Sequence, residues 1–146
     1  MTKQRHMIIP ASYLIFLKDN TLLLHRRCNT GYQDGKLSLI AGHVDEGESP
    51  LDAAIREAYE EVGISIAPED LHLAHTMYRV LSGLPDRIDF YFIVKAWKGE
   101  PRIAEEHKCS ELGWFDFDHV PQDLIVCERA SLEAIRQGTS FSVYHW

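Results

Sequence analysis

Residues 42–64 read GHVDEGESPLDAAIREAYEEVGI, a glycine-flanked acidic loop running into a helix crowded with carboxylates. Ser49-Pro50 is a helix-start signal, because the hydroxyl can accept from free backbone amides and proline at the first helical position gives up no needed hydrogen bond. Gly63 marks the stop, since glycine supplies the left-handed conformation that closes a helix. At roughly 100° of rotation per residue, Leu51, Ala54, Ile55, Ala58 and Val62 fall on one apolar stripe suited to a core. Glu57, Glu60 and Glu61 gather on another side at i, i+3 and i+4.

Three like charges so close repel one another. A hard divalent cation removes the conflict: magnesium or manganese takes oxygen ligands, and a carboxylate cluster beside a phosphate-bearing substrate suits either. Arg56, four residues before Glu60, can pair with a neighbouring carboxylate and hold it in a ligating rotamer. A solvated Glu/Arg helix face is the competing reading of these residues alone.

The complete spacing is more specific. Gly42, five residues, Glu48, seven residues, Arg56-Glu57, an apolar residue, one residue, Glu60-Glu61, one residue, Gly63 and an apolar residue: this pattern resembles the Nudix box. Ala58 is smaller than the usual aliphatic of that signature, and Ile40-Ala41 stands where the family usually carries proline-glycine. The resemblance implies an α/β fold, a Nudix-type α/β/α sandwich with a mixed β-sheet, spanning residues 1–146 as one domain. It also implies hydrolysis of nucleoside diphosphates linked to another moiety, with Mg2+ or Mn2+ as cofactor. Carried onto this chain, Glu57, Glu60 and Glu61 are metal ligands, joined by the backbone carbonyl of Ala41. Glu48 supports the metal or the base, Arg56 orients a ligand carboxylate and Arg27 meets phosphate. A further acid before the last strand completes the metal site or acts as base; Glu105 is the first choice and Glu106 the alternative.

The bulk composition agrees with such an enzyme. At 146 residues, 45% hydrophobic and 25% charged, the chain suits one globular domain. A net charge of −7 argues against a stable nucleic-acid partner, while a metal ion and a few arginines can still attract a small polyanion such as a nucleotide. Cys28, Cys109 and Cys127 are widely spaced, form no CxxC pair and read as reduced thiols. No apolar run approaches the roughly 18 residues of a membrane span, and the first residues lack a signal-peptide pattern; a cytoplasmic location is the expectation. A homodimer is open, since no heptad or long exposed apolar run singles out an interface.

Outward from the box, Met7–Leu17 reads as a strand, with Pro10 confining its early part. Lys18-Asp19-Asn20 turns it into a hairpin whose second arm, Thr21–Arg27, delivers Arg26 and Arg27 to its far end. An arginine there can fork onto phosphate, with surface solubility as the alternative. Leu37–Ala41 is one short strand into the box, and Leu71–Leu81 another after it. Ile88–Trp97, IDFYFIVKAW, is the strongest strand and is expected at the sheet centre. Glu111–Phe115 is read as the last strand, and Glu128–Gln137 as a closing helix with Ala130, Leu132, Ala134 and Ile135 on its apolar face, stopping at Gly138.

Within the family, HRR before the box and PDR before the strong strand resemble the MutT-like branch that converts nucleoside triphosphates, oxidised ones included, to monophosphate and pyrophosphate. That similarity places Leu84 and Arg87 near the base, and Pro-Asp alone is also good turn chemistry. His43 in the box loop can contact a phosphate, and Asp123 a base edge from the loop before the last helix. Tyr78, Phe90 and Tyr91 can stack on a base or fill the core. The alternatives are a hydrolase of another linked diphosphate (a nucleotide sugar, a dinucleoside polyphosphate or the triphosphate end of RNA) and a nucleotide-sensing module without turnover.

Overall fold

Alternate residues of the apolar run Ala11–Phe16 point to opposite faces of a strand, so this run needs cover on both sides. The computed structural model, which describes residues 2–146, provides it. The chain runs β1 (Ile8–Lys18), β2 (Thr21–Arg27), β3 (Leu37–Ser38), β4 (Ile40–His43), α1 (Pro50–Val62), β5 (Leu71–Val80), β6 (Asp86–Val94), β7 (Cys109–Asp116), α2 (Val126–Arg136) and β8 (Phe141–His145). Ala11, Tyr13 and Ile15 enter a core cluster with Met77, Tyr91 and the α2 residues Cys127 and Leu132. Leu14 and Phe16 enter a second cluster with Phe92, Val94 and the α1 residues Ala54, Ala58 and Val62. The result is an α/β/α sandwich, with one helix over each face of the sheet.

The strand order β3-β2-β1-β6-β5-β8 mixes directions. β1 runs parallel to β6 from Ile8↔Asp86 to Phe16↔Val94, β5 runs antiparallel to β6, and β8 runs parallel to β5. β6 therefore sits inside the sheet, as its β-branched and aromatic content predicts, although it ends at Val94 rather than Trp97. Pro10 accepts from Val44 N–H through its carbonyl. Its own missing N–H faces the same side, opposite Val44 at the end of the β4 ladder, so proline forgoes only the terminal bond there.

Three expectations need correction. The β1–β2 hairpin closes at Asp19-Asn20, both with positive φ (50° and 59°) as a tight hairpin turn requires, but it pairs only Leu17↔Leu22 and Lys18↔Thr21. β4 and β6 already occupy the two edges of β1, so β2 diverges and pairs with β7 and β3 instead. For the same reason the Leu37–Ala41 segment is two strands, β3 on β2 and β4 on β1, dividing at Leu39. The strand ending near Phe115 is not the last, because β8 follows α2 and docks on β5.

Helix α1 obeys its sequence signals. Ser49 accepts from Asp52 N–H at 3.1 Å and Asp52 Oδ2 accepts from Ser49 N–H at 3.1 Å, a reciprocal capping box. Gly63 closes the helix at φ 70°. Ser49→Ala removes half of the box and is expected to cost roughly 1 kcal/mol, a fall of about 2–4 °C in Tm for a domain of this size. Thermal unfolding of the variant beside the wild type checks this, and an unchanged Tm refutes the cap's contribution.

Candidate active site

A cleft of about 430 Å³ opens between α1, the β2–β3 loop and the start of α2. Its acidic wall is Glu57, Glu60 and Glu61 of α1 with Glu105 from the loop before β7. Arg27, Tyr32 and Lys108 form another part of its lining, Ala41, Gly42, His43 and Arg87 a third, and Tyr13, His25, Ser38 and Glu128 its inner end.

Arg56 holds the box together from behind this wall. Its Nη2 donates to Glu48 Oε1 at 2.7 Å and to the His43 carbonyl at 2.9 Å. Its Nη1 donates to Glu57 Oε1 at 2.7 Å and Glu60 Oε2 at 3.2 Å, and its Nε to Glu48 Oε2 at 3.1 Å. One guanidinium thus ties the loop after Gly42 to three acids, using the planar fork that distinguishes arginine from lysine. The same contacts lower the Glu48 pKa, with Arg56 the first cause and the Asp45 N–H the second.

Gly42 is required by a close approach: a Cβ there would collide with the Glu57 carboxylate. The neighbouring Ala41 is outside the positive-φ region, so it sits in β4 without strain and the loss of a second glycine costs nothing in backbone geometry. Its N–H lies 3.4 Å from Glu61 Oε2.

Burial raises the pKa of Glu61 well above the ordinary carboxylate value, and the Glu57 charge adds to the rise. Glu57 is raised too, by burial, against the pull of Arg56. Among the described residues, no group of three or more His, Cys, Asp or Glu side chains is already gathered to hold an ion; Glu57 and Glu60 turn onto Arg56 instead. The donors nevertheless fit a hard divalent cation. They are all oxygen, and the repulsion that disfavours ionised Glu61 beside Glu57 is what a cation would reverse.

Arg27 donates through Nε to the Tyr32 carbonyl at 2.8 Å and through Nη2 to Thr30 Oγ1 at 3.0 Å, so its loop positions it on the cleft. Arg87 and His43 also reach the lining, and burial, then Arg87, lowers the His43 pKa. Glu105 lines the cleft and Glu106 does not. Glu48 and Arg56 support the wall rather than line it. Leu84 is 67% exposed outside the lining, and Asp123 is engaged by Arg26 Nη1 at 2.6 Å; the fold brings neither into the cleft. Nor do the three aromatic candidates enter it: Tyr91 stacks on Tyr13 in the core, Phe90 packs against the α1-side cluster, and Tyr78 donates to Asp86 at 3.0 Å. Burial pushes the Cys127 thiol up to about 12, which keeps it an inert core residue.

The inner end was not anticipated. Glu128 is 2% exposed, accepting from Leu39 N–H at 2.6 Å and from the Ser38 hydroxyl at 3.0 Å. Burial outweighs these bonds and raises its pKa to about 7. Beside it, burial and then the Arg27 charge lower His25 to about 4, and its Nε2 is buried without a partner, as is Arg87 Nε. A signal existed: Glu128 stands four residues before Leu132, on the apolar stripe of α2.

The family model described as NUDIX domain matches residues 8–134. The chain belongs to the Nudix hydrolase family, with a MutT-like fold. It is 34% identical over 86 residues to the Escherichia coli (strain K12) 8-oxo-dGTP diphosphatase, covering 58% of this chain and 63% of that protein. It is 30% identical over 114 residues to the NAD-capped RNA hydrolase NudC of Chromobacterium violaceum, covering 78% of this chain and 40% of that one. The match thus spans less than two thirds of either relative. The crystal structure of a MutT Nudix hydrolase from Burkholderia pseudomallei superimposes with a TM-score of 0.79 at 27% identity, covering 88% of this chain and 98% of that chain.

Because the folded state keeps the Glu128 proton that the unfolded chain releases from about pH 4.5 upward, stability falls through the window from 4.5 to 7 and the loss is complete above it. Glu128→Gln lacks this titration. The wild type is expected to lose stability relative to Glu128→Gln between pH 5 and pH 8, by on the order of 3 kcal/mol if the whole shift is expressed. Urea unfolding of both proteins across that range checks it, and a difference independent of pH refutes the neutral buried acid.

Proposed function

We propose that this chain hydrolyses a nucleoside triphosphate, oxidised forms included, to the monophosphate and pyrophosphate by water attack on phosphorus, with Mg2+ or Mn2+ bound. The observation that carries this is one cleft joining an acidic helix wall, arginine and lysine side chains, and a buried polar inner end. The residues fitted to hold the ion are Glu57, Glu60, Glu61 and Glu105, with the Ala41 carbonyl. When bound, the ion supplies charge neutralisation at phosphate and a more acidic water. Arg56 keeps Glu57 and Glu60 turned to one side of α1, and Glu48 keeps Arg56 in place. Arg27 and Lys108 meet phosphate oxygens, and Glu105 either completes the ion's ligand set or takes the proton of the attacking water. Phosphoryl transfer asks mainly for such positioning and charge.

At the inner end, the protonated form of Glu128 offers donor and acceptor together and His25 Nε2 is without a partner, as is Arg87 Nε on another part of the lining. These groups suit the hydrogen-bonding edge of a base, and His43 sits at the mouth. Residues 1–146 act as one Nudix domain in the cytoplasm on a small nucleotide, without a stable nucleic-acid partner. No helix of the described residues is long and apolar enough to cross a membrane.

A second reading, cleavage of another linked diphosphate, draws on the relative named as a NAD-capped RNA hydrolase, whose match covers 78% of this chain. A hydrolysis panel with magnesium and then manganese separates the two. Triphosphates, oxidised dGTP, nucleotide sugars, dinucleoside polyphosphates, NAD-capped RNA and triphosphorylated RNA are offered and the products identified. Pyrophosphate plus monophosphate from one triphosphate supports the first reading; turnover only of a linked diphosphate moves it to the second; nucleotide binding without turnover overturns both. Glu60→Gln and Glu61→Gln are each expected to cut turnover on the order of 100-fold with the thermal midpoint held or raised, since each relieves repulsion. Wild-type rates in both variants would remove the metal wall from the mechanism.

A further inference from the structure

β8 ends the strand order, and among the described residues no strand pairs with its outer edge. Its inner edge is settled by register: Thr76 N–H donates to the Ser140 carbonyl at 2.9 Å and Trp146 N–H donates to the Val80 carbonyl at 3.1 Å, with Tyr78 opposite Val143. Backbone groups alternate along a strand, so Ser140, Ser142, Tyr144 and Trp146 turn their N–H and C=O groups toward β5. Phe141, Val143 and His145 turn theirs outward. The side chains of Phe141 and Val143 are also more than half exposed, at 55% and 52%, as is Trp146 at 54%.

Natural edge strands are usually protected by charge, proline or a bulge. This one has none: Ser140–Trp146 reads SFSVYHW without Lys, Arg, Asp, Glu or Pro. The adjoining half of β5 exposes no charge either, because Arg79 is buried against Asp89. On a chain of net charge −7, most surfaces of two copies repel each other. The β8 strip is an uncharged exception.

We infer that the outer edge of β8 is the contact between two copies of this chain, paired antiparallel about a two-fold axis at Val143. That register places Val143 opposite Val143, and Phe141 of each copy opposite His145 of the other. All three outward residues then fall at hydrogen-bonded pair positions, where each pair exchanges two N–H···O=C bonds. Every outward backbone group of β8 gains a partner, the two sheets continue into one, and Phe141 and Val143 leave water. The contact is isologous and closes at two copies. It lies away from the cleft, to which β8 contributes no lining residue.

The test is light scattering coupled to size exclusion on the full chain at about 10–200 µM, a range wide enough to catch a contact of micromolar affinity. The wild type is expected at twice the 16.8 kDa monomer mass at the upper end. Val143→Pro removes only an outward-facing N–H and leaves the β5 ladder intact, so it is expected at monomer mass with its circular dichroism retained. Val143→Glu, which sets two like charges directly opposite each other across the two-fold axis and keeps every backbone group, should do the same and carries the test if the proline variant does not fold. A wild type that stays at monomer mass throughout overturns the inference and leaves the edge to an extended peptide of another protein. A dimer that persists in the folded variants overturns it as well, by placing the contact elsewhere.

Discussion

The Arg56 guanidinium is the interaction on which the candidate site depends. It reaches Glu48, Glu57, Glu60 and the His43 carbonyl at once, so it fixes the loop 42–48 to the helix that follows. Without a cation at that point, Glu48, Glu57 and Glu60 would face one another unopposed, and a helix gathering like charges at i, i+3 and i+4 loses stability rather than gaining it. The arrangement is strained in charge, though not in backbone: Glu61, beyond the reach of Arg56, is pushed toward its neutral form by burial and by Glu57. An acid in that condition is poised for a cation, which explains why the same residues are poor stabilisers and good ligands.

The opposite side of the sheet holds a different solution to buried charge. Arg79 Nε and Asp89 Oδ2 lie 2.6 Å apart with almost no exposure, and Arg87 Nε stands 3.8 Å from the other oxygen of Asp89. Burial raises the Asp89 pKa while the two arginines oppose it. Glu128 has no arginine partner, only the Leu39 N–H and the Ser38 hydroxyl, and its pKa rises to about 7. A buried acid that retains its proton near neutrality can donate as well as accept.

Much of this was legible in residue spacing. Ser49, Pro50 and Gly63 bound α1 as read, because caps are local chemistry set by residues within one turn. Of the stripe Leu51, Ala54, Ile55, Ala58 and Val62, Ala54, Ala58 and Val62 are buried while Leu51 and Ile55 pack half-buried against the same cluster, and the acid trio faces the cleft. The misreadings share one cause. That β2 leaves β1 after two pairs, that residues 37–41 split between two partners, and that β8 docks on β5 all depend on which strand edges are already taken, a competition between segments far apart in the chain. Asp123 fails as a cleft residue for the same reason, since Arg26 of β2 claims it.

Sequence alone therefore determined the box helix, its ends, its apolar and acidic sides and the family to which they belong, because each rests on interactions within about two turns of chain. Tertiary structure put Glu105 on the cleft and Glu106 off it, left Leu84 and Asp123 outside it and brought Glu128 beside Ser38, a pairing across 90 positions. It also left the outer edge of β8 unpaired among the described residues. Spacing reports which side chains share a face. Only the packed sheet and helices report which faces meet, because burial and partner availability are properties of the whole fold.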